Sequence, residues 1–253
     1  MKRLTAFALS IALLIMLSPG AHADMVTLIK SDDIFTDTGK ISWDQNSGST
    51  TVYVSPVRAQ DISTGSDFLA FCGDFRTSLS NDFKNGGQDY AARTFEDVDF
   101  LEIYSPWQIT ALTELFGRVY SSAFDSTGDV VGEIEARALQ LTVWSILGYD
   151  DAKKENSFKG LTEYNYTNWE DVIEMSQSWL NALMDVAEWA PEFFKITEYN
   201  YTVYVAIDAM GKLNHNASQT LISVKEAAVP EPASIVMFGM GLAGLGLLRR
   251  RKK

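Results

Sequence analysis

Two side chains in this sequence pair reactivity with an awkward setting. Cys72 is the only cysteine among 253 residues. It ends an apolar, β-prone run, Asp67-Phe68-Leu69-Ala70-Phe71-Cys72, just before Gly73. A single cysteine excludes an intramolecular disulfide and a cysteine-based zinc site. Three readings remain for its sulfur: an inert core group, as free cysteine often is, a bridge to another molecule, or a covalent bond to something other than cysteine. Gln140 is the second residue. From Ala138 to Leu147 apolar residues fall on every side of a predicted helix, the pattern of a buried one. A side-chain amide buried there without partners costs about 1–3 kcal/mol. Gln140 therefore needs hydrogen bonds, or a covalent use of its carbonyl.

Other constellations point less firmly to chemistry. Asp32, Asp33 and Asp37 cluster, as do Glu96, Asp97, Asp99 and Glu102. Paired carboxylates serve acid–base catalysis or Ca²⁺ binding, but most acidic runs are solvated surface. Asp125-Ser126-Thr127-Gly128-Asp129 resembles a Ca²⁺ loop without the twelve-residue EF-hand spacing. His215 lies between Asn214 and Asn216 in a polar turn, and no G-x-S-x-G elbow accompanies it. With two histidines in all, multi-His metal centres are excluded. The aromatic stretch Tyr164, Tyr166, Trp169, Trp179, Trp189, Phe193, Phe194, Tyr199, Tyr201 and Tyr204 has rings for sugar stacking, or for a core. Gly239-Met240-Gly241-Leu242-Ala243-Gly244 spells a dinucleotide fingerprint. It lacks the strand, the following unit and the acid that such a site needs. No cofactor or metal is expected.

The elements that must position Cys72 and Gln140 are legible in outline. Strands are predicted at 26–29, at 41–54 as a hairpin around Asn46-Ser47-Gly48-Ser49, and at 67–72. Ser105-Pro106-Trp107-Gln108 is a capping box with proline at the first helical position, opening a helix to about Tyr120. A second helix covers Glu133 to Leu147, with acids in its first turn and Gly148 as its stop. A third follows the capping box Thr167-Asn168-Trp169-Glu170 and runs to about Trp189. Strands return at 201–207 and 220–224. The pattern predicts one α+β domain over 24–228, its sheet built from both ends of the chain around a helical insertion.

Both termini read as addresses. Residues 1–23 have a basic start (Lys2, Arg3), an apolar run and the small residues Ala21 and Ala23 expected at a signal-peptidase cleavage site. At the other end, 233–248 is uncharged, and Arg249 to Lys253 form a basic tail. The stretch would make a short transmembrane helix of about 24 Å, with its tail held in the cytoplasm. The overall net charge of -12 hides this partition. The two termini carry seven basic residues and no acid, leaving 14 basic and 33 acidic residues between them. So acidic a body repels phosphate backbones and excludes nucleic acid as a partner. Val229-Pro230-Glu231-Pro232, the apolar stretch and the basic tail, together 229–253, resemble the PEP-CTERM sorting signal. That resemblance implies processing near the box by an exosortase, a membrane peptidase-transpeptidase, and a destination at the cell surface or in an exopolysaccharide matrix.

The body carries a second resemblance. Phe71-Cys72-Gly73-Asp74 after a β run, followed by Leu139-Gln140-Leu141-Thr142-Val143-Trp144 in a helix, resembles the thioester domains of bacterial surface adhesins. The order of strand, helical insertion, helix and strands agrees with theirs. Thr142 and Gly73 depart from the usual pattern, in which alanine and an apolar residue are commoner. The resemblance implies a β-sandwich or barrel in which Cys72 and Gln140 form an internal thioester with loss of ammonia. Phe71, Asp74 and Trp144 would surround it, and Phe68 and Phe75 would help exclude water. Such a bond makes a one-time covalent link to an amine-bearing partner, such as a lysine of a surface protein, without catalytic turnover. Two other readings stand beside it. One is a non-covalent structural or carbohydrate-binding matrix protein with an inert Cys72, and the other a hydrolase using the clustered carboxylates.

Overall fold

Hydrophobic alternation along short strands from the two ends of the chain closes a barrel. The computed structural model describes residues 24–36, 38–43, 49–73, 79–95, 104–150, 155–156, 158–164, 167–187, 199–208, 210, 212–214 and 218–226. The strands are β1 (Asp24–Asp33), β2 (Thr38–Trp43), β3 (Ser49–Tyr53), β4 (Val57–Asp61), β5 (Ser66–Cys72), β6 (Gln88–Arg93), β7 (Tyr149–Asp150), β8 (Glu155–Asn156), β9 (Phe158–Tyr164), β10 (Tyr199–Ala206) and β11 (Leu221–Glu226). The helices are α1 (Asn81–Asn85), α2 (Pro106–Ala123), α3 (Glu133–Leu147) and α4 (Trp169–Ala187). The barrel runs β1-β4-β5-β11-β10-β6 and back to β1, with antiparallel pairing throughout. Closure leaves these strands no free edge.

The predicted α+β class and the use of both chain ends agree with this barrel. The predicted order of strands, helices, strands needs correction: α1 and β6 follow β5 before α2 begins. β9 follows α3 and pairs with β2, which also pairs with β3 in the predicted hairpin, giving a separate three-stranded sheet. The helical insertion is therefore interrupted by strand. The capping box at α2 is present: the Ser105 hydroxyl accepts from Gln108 N–H, and the Gln108 carbonyl oxygen accepts from Ser105 N–H. Helix α4 starts at Trp169, so Asn168 rather than Thr167 stands at its cap. The signal segment 1–23 and the sorting segment 229–253, with its apolar stretch 233–248, lie outside the described residues. Among the described residues no helix is long and apolar enough to cross a membrane.

Two apolar clusters share the strands. Leu69 and Phe71 of β5, Val203 and Val205 of β10, and Ile222 and Val224 of β11 turn outward to Leu112, Leu115 and Phe116 of α2. Their alternates, Ala70, Cys72, Ala206 and Leu221, turn inward with Leu28, Ala59 and Tyr90. Helix α3 packs against α2 and α4 and serves both clusters. Leu139, Val143 and Ile146 join the first; Ala138, Leu141 and Trp144 join the second. Every residue from Ala136 to Ile146 is buried, as the all-round apolar pattern predicts.

Candidate functional site

Strand β5 and helix α3 bring Cys72 and Gln140 together. Gly73 N–H donates to Thr220 O at 2.7 Å, and Phe71 pairs with Ile222, so β11 uses the odd-numbered residues of this strand end. Antiparallel alternation then points the N–H and C=O of Cys72 to the other edge, toward β4. There the ladder has ended. Val57, the first residue of β4, pairs with Ala70, so the position opposite Cys72 lies beyond the strand. Gln140 fills the missing rung. Cys72 N–H donates to Gln140 Oε1 at 3.0 Å, and Gln140 Nε2 donates to Cys72 O at 3.0 Å. Gln140 is 0% exposed and Cys72 is 4% exposed, so the exchange takes place away from solvent.

Burial pushes the Cys72 thiol up to about 12, with the charge of Asp33 adding to the shift and that of Lys30 opposing it. The sulfur is a protonated thiol at neutral pH, not a standing thiolate. Tyr90, in the same cluster, is raised as well, chiefly by desolvation, with its hydroxyl 2.9 Å from Ser218 Oγ.

Three side chains tie α3, the helix that carries Gln140, to its surroundings. Arg137, one turn earlier, is buried, pairs with Glu133 at 2.9 Å and lies 4.0 Å over the Phe35 ring. Thr142 Oγ1 is 2.7 Å from Ala138 O and 2.9 Å from Ser176 Oγ of α4, which accounts for a hydroxyl in this core helix. Gln108 Nε2 reaches Ile146 O and Leu147 O, tying the start of α2 to the end of α3. The second departure, Gly73, sits in a closed place. A Cβ there would lie 2.9 Å from the Tyr104 hydroxyl and 3.2 Å from Thr220 O. Gly73→Ala should therefore cost about 1–3 kcal/mol as an overpacked change, measured by chemical denaturation. A loss below about 0.5 kcal/mol, the range of neutral surface changes, would contradict this packing.

The residues expected around the Cys72–Gln140 pair divide. Trp144 and Phe68 share its cluster. Phe71 does not. It faces the other side of β5, its ring centroid 5.0, 6.3 and 5.7 Å from those of Phe116, Tyr120 and Phe124. Asp74 and Phe75 lie outside the described residues, as do Ala21, Ala23, His215 and the box Val229, Pro230, Glu231 and Pro232. The sequence did not reveal that Gln140 engages the backbone of Cys72. No local signal marks that contact, because it depends on where β4 ends.

The weaker constellations are occupied by structure. Asp125 Oδ1 accepts from Thr127 N–H, Thr127 Oγ1 and Asp129 N–H, and the Thr127 hydroxyl leads in holding this carboxyl below its usual value. Asp129 pairs with Arg58, which also donates to Gly128 O. These bonds fold the loop onto the Asp125 carboxylate. Asp33 pairs with Lys30 and Asp32 caps Asp33 N–H; Asp37 and the 96–102 acids are outside the described residues. No group of three or more His, Cys, Asp or Glu placed to hold a metal occurs among the described residues. Of the aromatic stretch, Trp169 and Tyr199 are buried, Tyr201 stacks on Phe95 and Tyr204 on Phe68.

Comparison with known proteins gives a match at the C-terminus and two distant likenesses among solved structures. Residues 228–252 match the PEP-CTERM protein-sorting motif. The chain thus carries a sorting signal that implies processing by an exosortase and an exported, cell-envelope or extracellular protein. Among solved structures, the chain is similar to the N-terminal thioester domain of fibronectin-binding protein SfbI from Streptococcus pyogenes. The identity is 10%, the TM-score 0.42, and the match covers 77% of this chain and 96% of that one. It is also similar to the N-terminal domain of the Streptococcus pyogenes pilus tip adhesin Cpa, at 12% identity and a TM-score of 0.38, covering 82% of this chain and 100% of that one. A search of curated proteins gives no match.

Proposed function

We propose that the exported domain carries an internal thioester between Cys72 Sγ and Gln140 Cδ and uses it once, to attach covalently to an amine-bearing partner on a surface protein or matrix component. The supporting observation is the reciprocal hydrogen-bonded contact of the Gln140 amide with Cys72, in a place closed to water. Formation is balanced without a cofactor. The thiol sulfur adds to Cδ, the Cδ–Nε2 bond breaks, and the thiol proton leaves with Nε2 as ammonia. Attachment is the counterpart: an amine nitrogen bonds to Cδ, the Cδ–Sγ bond breaks, and the sulfur takes up the proton that the nitrogen loses. Burial, which raises the Cys72 pKa, favours departure of the sulfur together with that proton. Exclusion of water protects the activated acyl group until an amine arrives.

A second reading has one observation in its favour. As a free amide, Gln140 already meets a donor and an acceptor on Cys72, which suits a purely structural latch in a non-covalent matrix protein. Thiol labelling in denaturant separates the two. The thioester reading expects Cys72 of the mature chain to resist a thiol reagent until an amine is added. Full labelling without amine treatment supports the latch.

Sorting is tested apart from this chemistry. Deletion of Pro230–Pro232 is expected to leave an unprocessed chain in the inner membrane, detected by fractionation and immunoblot. Normal maturation of that deletion would overturn the assignment of the processing step to the box.

A further inference from the structure

Strand β1 breaks its register once, close to the site. Lys30 stands opposite Ala59 and Asp33 opposite Val57, but between them Asp32 faces Arg58 and leaves Ser31 as an extra residue. This is a β-bulge, and it redirects side chains. Residues three apart on a regular strand point to opposite faces. The extra residue puts Lys30 and Asp33 on one face, where they form an ion pair. That face is the inner one, because Ala59 and Val57 belong to the inward cluster with Cys72. Ser31 and Asp32 are exposed, whereas Lys30 and Asp33 are half-buried. Along the same wall Val57 pairs with Ala70, and Cys72 lies two residues further on the same side of β5. The chain just after Asp33 also meets the helix of Gln140. Phe35 N–H donates to Ser55 Oγ at 3.1 Å, and the Phe35 ring lies under Arg137, one turn before Gln140. The charge of Asp33 is felt at the Cys72 sulfur.

Building on the thioester reading, we infer that Asp33, set on the inner wall by the bulge of β1, is the proton carrier of the site. Forming and using the thioester each move one proton between sulfur and nitrogen while both are bonded to Cδ. A direct handover would pass through a strained four-membered ring. A carboxylate beside the sulfur takes the proton from one atom and returns it to the other. In formation, Sγ bonds to Cδ, the carbonyl π pair moves onto Oε1, and Asp33 takes the thiol proton. It gives that proton to Nε2 as the pair returns and the Cδ–Nε2 bond breaks, releasing ammonia. In attachment, the incoming nitrogen bonds to Cδ with the same movement of the π pair and yields a proton to Asp33. Asp33 passes it to Sγ as the Cδ–Sγ bond breaks. It ends each reaction as the carboxylate it began. Positioned groups that move protons in this way contribute about 10²–10⁴-fold.

The test compares Asp33→Asn, Asp33→Glu and Lys30→Gln with the parent in the full mature chain, each first shown to be folded by chemical denaturation. Intact mass and release of the Cys72 thiol follow the reaction with methylamine. Lys30→Gln breaks the same ion pair but keeps the carboxylate. The inference expects Asp33→Asn to react at least about a hundredfold more slowly than the parent. Asp33→Glu should recover most of that rate, and Lys30→Gln should lose far less. An Asp33→Asn chain that keeps Gln140 as its free amide, while Asp33→Glu carries the ammonia deficit, shows the same dependence at the formation step and supports the inference. If Asp33→Asn keeps pace with the parent, the inference is overturned while the thioester stands. Equal losses in Asp33→Asn and Lys30→Gln make the ion pair rather than the carboxylate the cause, and also overturn it. So does failure of Asp33→Glu to recover either step. A parent without the ammonia deficit overturns the thioester reading and this inference with it.

Discussion

Gln140→Ala is expected to destabilise the domain by about 2–6 kcal/mol and to abolish any amine incorporation. The stability figure counts two buried partners left unpaired, the N–H and C=O of Cys72, at about 1–3 kcal/mol each. A cavity inside α3 adds to it. Equilibrium denaturation, with parent and variant compared while Gln140 is a free amide and no thioester has formed, gives the first readout. A loss under about 1 kcal/mol would show that water or a shifted strand replaces the amide. Gln140→Glu sharpens the result because it preserves shape. Only a protonated carboxyl can accept from Cys72 N–H and also donate to Cys72 O. Burial raises the folded pKa of this glutamate above its unfolded value of about 4.3. Above that value the unfolded chain releases the proton while the folded chain keeps it, so stability falls as pH rises. The variant should approach the parent near pH 4 and lose ground steadily toward neutrality. A flat profile over that range would contradict a site closed to water around Gln140.

Trp144→Ala carries the second large effect, about 3–5 kcal/mol, as expected for a fully buried aromatic cut to a methyl group. Phe71→Ala belongs to the same range by burial. The two differ in what they expose. Trp144 packs in the cluster that holds Cys72, whereas Phe71 faces the aromatic cluster of α2 across the strand. At temperatures where both variants remain folded, Trp144→Ala should hasten hydrolysis of the thioester, seen as recovery of a free thiol over time. Phe71→Ala should leave that rate close to the parent's. Equal hydrolysis in the two variants would mean that the strand face does not partition water access. A destabilised but hydrolysis-resistant Trp144→Phe would place the protection in ring bulk rather than in the indole.

The chain's most local signals were also the most legible. The box Ser105-Pro106-Trp107-Gln108 starts α2 where predicted, and α3 spans Glu133–Leu147 with Gly148 behind it. Hydrophobicity on all sides of Ala138–Leu147 marked α3 as a core helix before any partner was known. β4 and β9 were missed for a physical reason. Val57-Arg58-Ala59-Gln60-Asp61 is only half apolar, and Phe158–Tyr164 has Lys159, Gly160 and Glu163 within it. Both are strands because a neighbour of distant sequence pairs with them, and tertiary pairing outweighs such weak propensity. The meeting of Cys72 with Gln140 was implied only by the resemblance of their two motifs to those of thioester domains. The bonding pattern was not implied, because it depends on β4 ending opposite Ala70. Phe71 misled because nearness in sequence suggested nearness to the sulfur, whereas strand alternation turns adjacent side chains to opposite faces.

The measurement that bears most directly on the account is the intact mass of the mature chain, purified without amine buffers, beside Cys72→Ala and Gln140→Ala. A Cys72–Gln140 thioester predicts a parent lighter than its sequence by one ammonia, with both variants at their plain sequence masses. A parent at its full sequence mass, with Cys72 labelled stoichiometrically by a thiol reagent, would contradict it.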